Sequence, residues 1–223
     1  MPVRDLASDN QTVRPQFDEA FRHSLKELFW WRRDVRHFLT TPIPAEILTE
    51  LIELACLAPS VGYSQPWRFV KVDDPRRREA VRQSFVECSE EALHGYSGAQ
   101  AELYASLKLA GLAEAPVHLA VFVDRAASTG SGLGRMTMPS TLDYSAVMAI
   151  HTLWLAARTY GIGLGWVSIL NPPDVERILE VPAGWALIAY LCLGYPVEEQ
   201  ALPELERRGW ERRTDTGSLI LQR

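Results

Sequence analysis

The chain has 223 residues, 47% hydrophobic and 23% charged, with a formal net charge of −5 from 23 basic and 28 acidic side chains. These are the proportions of a globular chain long enough to bury a core, and they exclude disordered and collagen-like sequences. The acidic balance also lacks the positive field of a dedicated nucleic-acid binder.

Residues 1–16 contain no apolar stretch that would read as a secretory leader, and they read as a loose tail. From residue 17 to 223 no repeat, low-complexity block or linker divides the chain, so a single domain is expected. A first helix is predicted over Asp18–Trp31, with Phe21, Leu25, Leu28 and Phe29 at three- and four-residue steps. A second should begin with Pro44 at its first helical position and end before Pro59, with Ile47, Leu48, Leu51, Ile52 and Ala55 as its apolar face. Trp67–Val72 alternates as a strand, and Pro75 to about Leu93 reads as a charged helix.

Residues 94–115 are amphipathic but interrupted by Gly111, which suits either a mobile flap or a plain surface helix. Val117–Asp124 reads as a buried strand. After a glycine-rich loop, Asp143–Tyr160 is apolar nearly all round and belongs in the middle of the structure, with Gly161 as its cap. Leu164–Leu170 and Leu187–Leu193 are two further strands separated by a short helix near Pro173–Leu179. The fold class expected is α+β, with a central helix against a sheet of four or more strands.

Candidate chemistry is concentrated in three stretches. Arg32, Arg33 and Arg36 put three guanidiniums within five residues; they repel one another unless an anion sits among them, and their planar forks suit a phosphate. A solvated charged face is the competing reading. Asp34 in their midst either neutralises them or stands as an active-site carboxylate able to take a proton. The loop Ala58–Trp67, dense in Ser, Gly and Gln, either offers polar groups to a planar ring or is an ordinary turn.

The glycines from Gly161 to Gly165 fail as a dinucleotide fingerprint because they close a helix and open a strand. Gly163 and Gly165 are instead expected to let backbone approach a flat ligand, with Ser168 on the strand beyond. The five histidines have no HxH or HExxH spacing, and Cys56, Cys88 and Cys192 are widely separated. No metal and no disulfide framework are expected, and a reducing cytoplasm fits best. No run approaches a membrane span, so membrane and nucleic-acid partners are not expected.

Taken together, Arg-Arg-Asp-Val-Arg (32–36), Ala-Pro-Ser-x-x-x-Ser-Gln-Pro-Trp (58–67) and Gly-x-Gly-x-Gly-Trp-Val-Ser (161–168) resemble the nitroreductase-like flavoproteins over about residues 18–215. The resemblance implies a nitroreductase-like fold with a central mixed or antiparallel sheet flanked by helices. It further implies a domain-swapped homodimer with flavin at the interface and residues 94–115 as a lid. Four features resemble one branch of that superfamily, the 5,6-dimethylbenzimidazole synthases. They are Asp34 where ordinary nitroreductases carry Ser or Thr, the stretch Met138–Ser145, Gly165–Leu170, and Pro203–Glu206 with Gly209 and Trp210.

That branch implies oxygen-dependent fragmentation of reduced FMN to the lower ligand of cobalamin. FMN is then substrate, dioxygen co-substrate, and a separate flavin reductase the supplier of the reduced form. By this resemblance Arg32, Arg33 and Arg36 hold the phosphate and pyrimidine edge, joined by Arg213 or alternatively Arg208. Ser60, Gly62 and Gln65 line the ring, Gly165 and Val167 pass near its reactive edge, and Asp34 and Ser168 are the catalytic pair. The competing readings are an NAD(P)H-dependent nitroreductase or flavin reductase that retains FMN, and a non-enzymatic flavin-binding module.

Overall fold

The computed structural model describes residues 15–223. The tail expected over 1–16 therefore lies outside the described residues except for Pro15 and Gln16, which are exposed. The elements in chain order are α1 (Glu19–Trp31), α2 (Ala45–Ala55), β1 (Trp67–Lys71), α3 (Pro75–Leu93), α4 (Gly98–Ser106), β2 (Val117–Asp124), α5 (Thr141–Thr159), β3 (Gly163–Val167), α6 (Pro172–Leu179), β4 (Trp185–Gly194) and α7 (Glu204–Arg207).

The strands form one sheet in the order β1-β2-β4-β3, and every neighbouring pair is antiparallel. Both faces are covered. Leu119, Val121, Leu191 and Leu193 pack with Leu48 and Leu51 of α2 and with Ile150 and Leu153 of α5. On the other face Ala120, Phe122, Tyr190 and Cys192 meet Phe38, Val81 of α3, Val175 of α6 and residues 110–115. A sheet buried on both sides explains why β2 is a continuous apolar run rather than an alternating one.

The helix ends obey local chemistry. Asp18 caps α1 by accepting the Phe21 N–H at 2.8 Å, and Asp74 caps α3 by accepting that of Arg76 at 2.8 Å. Gly161, with φ +68°, ends α5, and the Ile162 N–H returns to the Ala157 carbonyl at 3.0 Å. Pro44 stands one place earlier than expected, as the N-cap of α2 rather than its first residue.

Two expectations need correction, those for α5 and for residues 94–115, and the structure adds where the α1 stripe faces. Helix α5 starts at Thr141, and it is not enclosed all round: Tyr144, Val147 and Met148 are exposed. Helix α1 has no buried residue, and Phe21, Phe29 and Trp30 are each about half exposed, so its stripe faces outward. Periodicity shows that a stripe is apolar; it does not show which surface will cover it. Within 94–115 only Gly98–Ser106 is helical, Leu107 is buried, and Ala110, Leu112 and Ala115 pack with the sheet, so the segment is not a plain surface helix.

Candidate functional site

After α1 the chain turns extended and runs beside β3, where the Val35 N–H donates to the Leu164 carbonyl at 3.0 Å. Asp34 faces this edge. Its Oδ1 accepts the Trp166 backbone N–H at 2.9 Å, and its Oδ2 accepts Arg36 Nε at 2.8 Å. Arg36 is largely buried and also donates to the Lys108 carbonyl at 3.2 Å, which ties the site to the 94–115 segment.

The glycines of β3 serve this close approach. A Cβ on Gly163 would lie 2.7 Å from Val35 Cγ2, and one on Gly165 would lie 2.2 Å from the Val35 carbonyl oxygen. On the side where a Cβ would stand, both glycines are approached by the Val35 segment. Val167 is buried in the core beneath, and Ser168 lies one residue past β3 and is exposed rather than on the strand.

The arginines converge on the same corner. The Arg32 guanidinium stands 4.9 Å over the Trp154 ring, and the Trp154 indole N–H donates to the Arg33 carbonyl at 3.0 Å. Arg33 reaches the Ala201 carbonyl, while its Nε is buried with no hydrogen-bond partner among the described residues. Arg158 is gripped by both carboxylate oxygens of Glu199, at 2.6 and 2.9 Å. Arg213 lies 6.0 Å from the Trp30 ring.

Burial is the main cause that lowers the affinity of Arg32 and Arg33 for their protons. The charge of Arg213 adds to it at Arg32, where Asp34 opposes it; Arg32, Arg213 and Arg158 add to it at Arg33. A cleft opens here, lined by Arg32, Arg33, Trp154, Arg158 and Gly163, with Glu198 and Glu199 at its side. Crowded cations around a cleft, one with an unsatisfied buried N–H, are the physical requirements of an anion site. Arg208 is not part of it: its guanidinium donates to the Ser106 carbonyl and hydroxyl at 2.9 and 3.1 Å, at the end of α4.

The second motif sits elsewhere. Ser60 Oγ accepts the Gln65 N–H at 3.1 Å, and Gly62, Tyr63 and Gln65 adopt positive φ values of 55°, 56° and 44°. A Cβ on Gly62 would lie 2.7 Å from the Leu133 carbonyl, so this loop packs directly on the glycine-rich loop. It leads into β1, where Trp67 pairs with Val123 and Val123 with Ala186. Leu164, beside Asp34, pairs with Leu193, seven residues farther along β4. At about 4.8 Å per strand and 3.3 Å per residue, four strand spacings and seven residues separate the two motifs by roughly 19 Å across and 23 Å along the sheet. One protomer does not bring Ser60, Gly62 and Gln65 to Arg32, Arg33 and Arg36.

The Nitroreductase family model matches residues 30–195, which contain all three motifs. The chain belongs to the nitroreductase family. Within that family it is 56% identical over 199 residues to the 5,6-dimethylbenzimidazole synthase of Rhodospirillum rubrum, covering 89% of this chain and 94% of the relative. It is 46% identical over 200 residues to that of Rhodobacter capsulatus, covering 90% and 97%. Among solved structures, iodotyrosine deiodinase bound to FMN and 3-iodo-L-tyrosine superposes with a TM-score of 0.67 at 26% identity, over 79% of this chain and 91% of that one.

In this nitroreductase-family chain the sequence reading missed Trp154 and Arg158. Both lie on α5, whose apolar residues read as core. The signal available was the indole N–H, a polar handle that needs a partner wherever the ring is buried.

Proposed function

We propose that this chain is a 5,6-dimethylbenzimidazole synthase that fragments reduced FMN with dioxygen to the lower ligand of cobalamin. The observation that carries the reading is a carboxylate, Asp34, held beside an anion-binding corner in a chain 56% identical to a relative of that name. A phosphate fits the residues present: Arg32, Arg33 and Arg213 would hold it, and the unpaired Arg33 Nε would gain an acceptor. The reduced flavin supplies the electrons that dioxygen takes up and the carbon skeleton of the product.

Asp34 would take a proton from the ribityl chain. Each of its oxygens accepts one hydrogen bond, and a carboxylate oxygen has a second lone pair left for that task. Ser168, just past β3, would add a hydroxyl, while Gly165 and Val167 would present backbone near the ring. Leu109, Ala110 and Gly111 stand over Asp34, Arg36 and Trp166, where residues 94–115 would act as a lid that excludes water.

Ser60, Gly62 and Gln65 would line the ring from a second copy. The separation of the two motifs supports a homodimer with its sites between copies, as do the uncovered faces of α1 and α5. Each copy would be a single domain from residue 17, exchanging terminal segments with its partner, working in the cytoplasm without a metal and with a separate reductase. The test mixes purified protein with chemically reduced FMN, admits air, and looks for 5,6-dimethylbenzimidazole by chromatography and mass spectrometry. Product in proportion to flavin consumed is the expected result. Intact flavin with NAD(P)H oxidation on addition of a nitroaromatic would make the protein a nitroreductase instead.

A further inference from the structure

Arg208, one of two arginines considered for the phosphate, has a different job in this structure. Its guanidinium grips the last turn of α4 through the Ser106 carbonyl and hydroxyl. Two residues on, past a turn at Gly209 with φ +77°, Trp210 packs its ring 5.5 Å from Tyr96 and 6.2 Å from Tyr104. Tyr96 and Tyr104 stack at 4.8 Å and both belong to the 94–115 segment. Three residues beyond Trp210 stands Arg213, whose charge acts on Arg32 and Arg33.

The other end of the segment is held by the same corner. Arg36, ion-paired to Asp34 at 2.8 Å, donates to the Lys108 carbonyl, and Leu109–Gly111 cover Asp34 and Trp166. Both attachments of the covering segment therefore come from chain stretches that also carry arginines of the anion site. A stretch bearing several like charges is held in place when an anion draws them together.

We propose that Arg208 and Trp210 are positioning residues that couple capture of the terminal phosphate by Arg213 to closure of residues 94–115 over Asp34, so that a flavin without the phosphate leaves the segment open. This rests on the flavin reading above. It assigns to the C-terminal segment the selection of the phosphorylated flavin for productive chemistry, separate from affinity for the ring. An open segment would let reduced flavin react with dioxygen to give oxidised flavin and hydrogen peroxide, a two-electron, two-proton transfer that needs no residue of the site.

Lys108 is the only tryptic site between residues 94 and 115, which makes closure readable. Wild type and Arg208→Ala are digested anaerobically with trypsin in reduced FMN or reduced riboflavin, and cleavage after Lys108 is followed by mass spectrometry. Reduced FMN should slow that cleavage about tenfold in the wild type, because cleavage tracks the open population, whereas riboflavin should not. Arg208→Ala should lose that protection and, because closure and affinity are linked, bind FMN about tenfold more weakly, while its affinity for riboflavin, which does not close the segment, stays that of the wild type. On admission of air it should divert flavin from benzimidazole to peroxide, and Arg208→Lys should restore part of both.

Equal protection by riboflavin, or full protection in Arg208→Ala, would overturn the coupling while leaving product formation by the wild type intact. A wild type that neither binds FMN nor makes product overturns the flavin reading itself, and the coupling with it.

Discussion

Asp34 and Trp166 are joined by a hydrogen bond from backbone N–H to carboxylate at 2.9 Å, so the side chain offered for chemistry also fixes the edge of β3. Its other oxygen holds Arg36 at 2.8 Å. Asp34→Asn preserves the shape and the acceptor for Trp166 but sets an amide N–H₂ against the Arg36 donor and removes the proton acceptor. We expect folded protein that still binds FMN, with product formation lowered by about 10²–10⁴-fold, the range of a lost general base. Product appearing at the wild-type rate would remove Asp34 from the mechanism.

Gly165 and Gly161 separate two reasons for a glycine. Gly161 has φ +68° with open space around it, so Gly161→Ala should cost only the left-handed strain of about 1–2 kcal/mol. Gly165→Ala would drive a methyl to 2.2 Å from the Val35 carbonyl, which has no flexible end to yield. It should cost about 3 kcal/mol or more, and it should weaken FMN binding by displacing Asp34 and the arginines. Urea unfolding with flavin titration distinguishes them, and equal losses in both variants would contradict the close approach.

Trp154 supports two arginines at once, one by its ring and one by its N–H. Trp154→Leu removes a cation–π contact and a hydrogen bond, each worth about 1 kcal/mol, so the Kd for FMN should rise by up to about thirtyfold. Trp154→Phe, which keeps a ring, should fall between. Riboflavin, without the phosphate, should bind all three proteins alike in a fluorescence titration; a parallel loss would show that Trp154 holds the fold rather than the anion corner.

What could be read from the residues follows from where the physics is local. Val117–Asp124 and Pro75–Leu93 match the structure at both ends because a continuous apolar run and an Asp-Pro helix start are complete signals within a few residues. Gly163 and Gly165 were legible as close-approach positions, but the identity of what approaches, Val35, depends on a contact between segments about 130 residues apart. Arg213 was the favoured late arginine with Arg208 kept as the alternative, because what separates them hangs on the turn at Gly209 and on Ser106. The α1 stripe was legible as apolar, but its exposure was not, because periodicity within a helix does not tell what packs against it.

His118 gives the fold a pH dependence of known sign. It is almost wholly buried, its Nδ1 shares a 2.9 Å hydrogen bond with the Tyr190 hydroxyl, and burial aided by the Arg78 charge lowers its pKa to about 4. The unfolded chain, with a histidine near 6.5, binds a proton that the folded chain refuses. Stability from this residue is therefore full above about pH 6.5 and lost as pH falls toward 4, by about 3 kcal/mol in all. His118→Gln should flatten the slope of unfolding free energy over that window in urea titrations at successive pH values. An unchanged slope would mean another group carries it.

The distance between Ser60–Gln65 and Arg32–Arg36 makes the between-copy site testable by mixing. Asp34→Asn spoils the carboxylate but leaves the loop intact, and Ser60→Trp obstructs the ring side but leaves the carboxylate. In a heterodimer of the two, one site draws both intact halves and the other both spoiled halves. Random exchange makes about half of all dimers heterodimers, so the mixture should recover about a quarter of wild-type activity per chain although each variant alone is inactive. Activity no higher than the mean of the two variants after verified exchange would mean that both motifs serve separate sites within one copy, and the interface reading would fall.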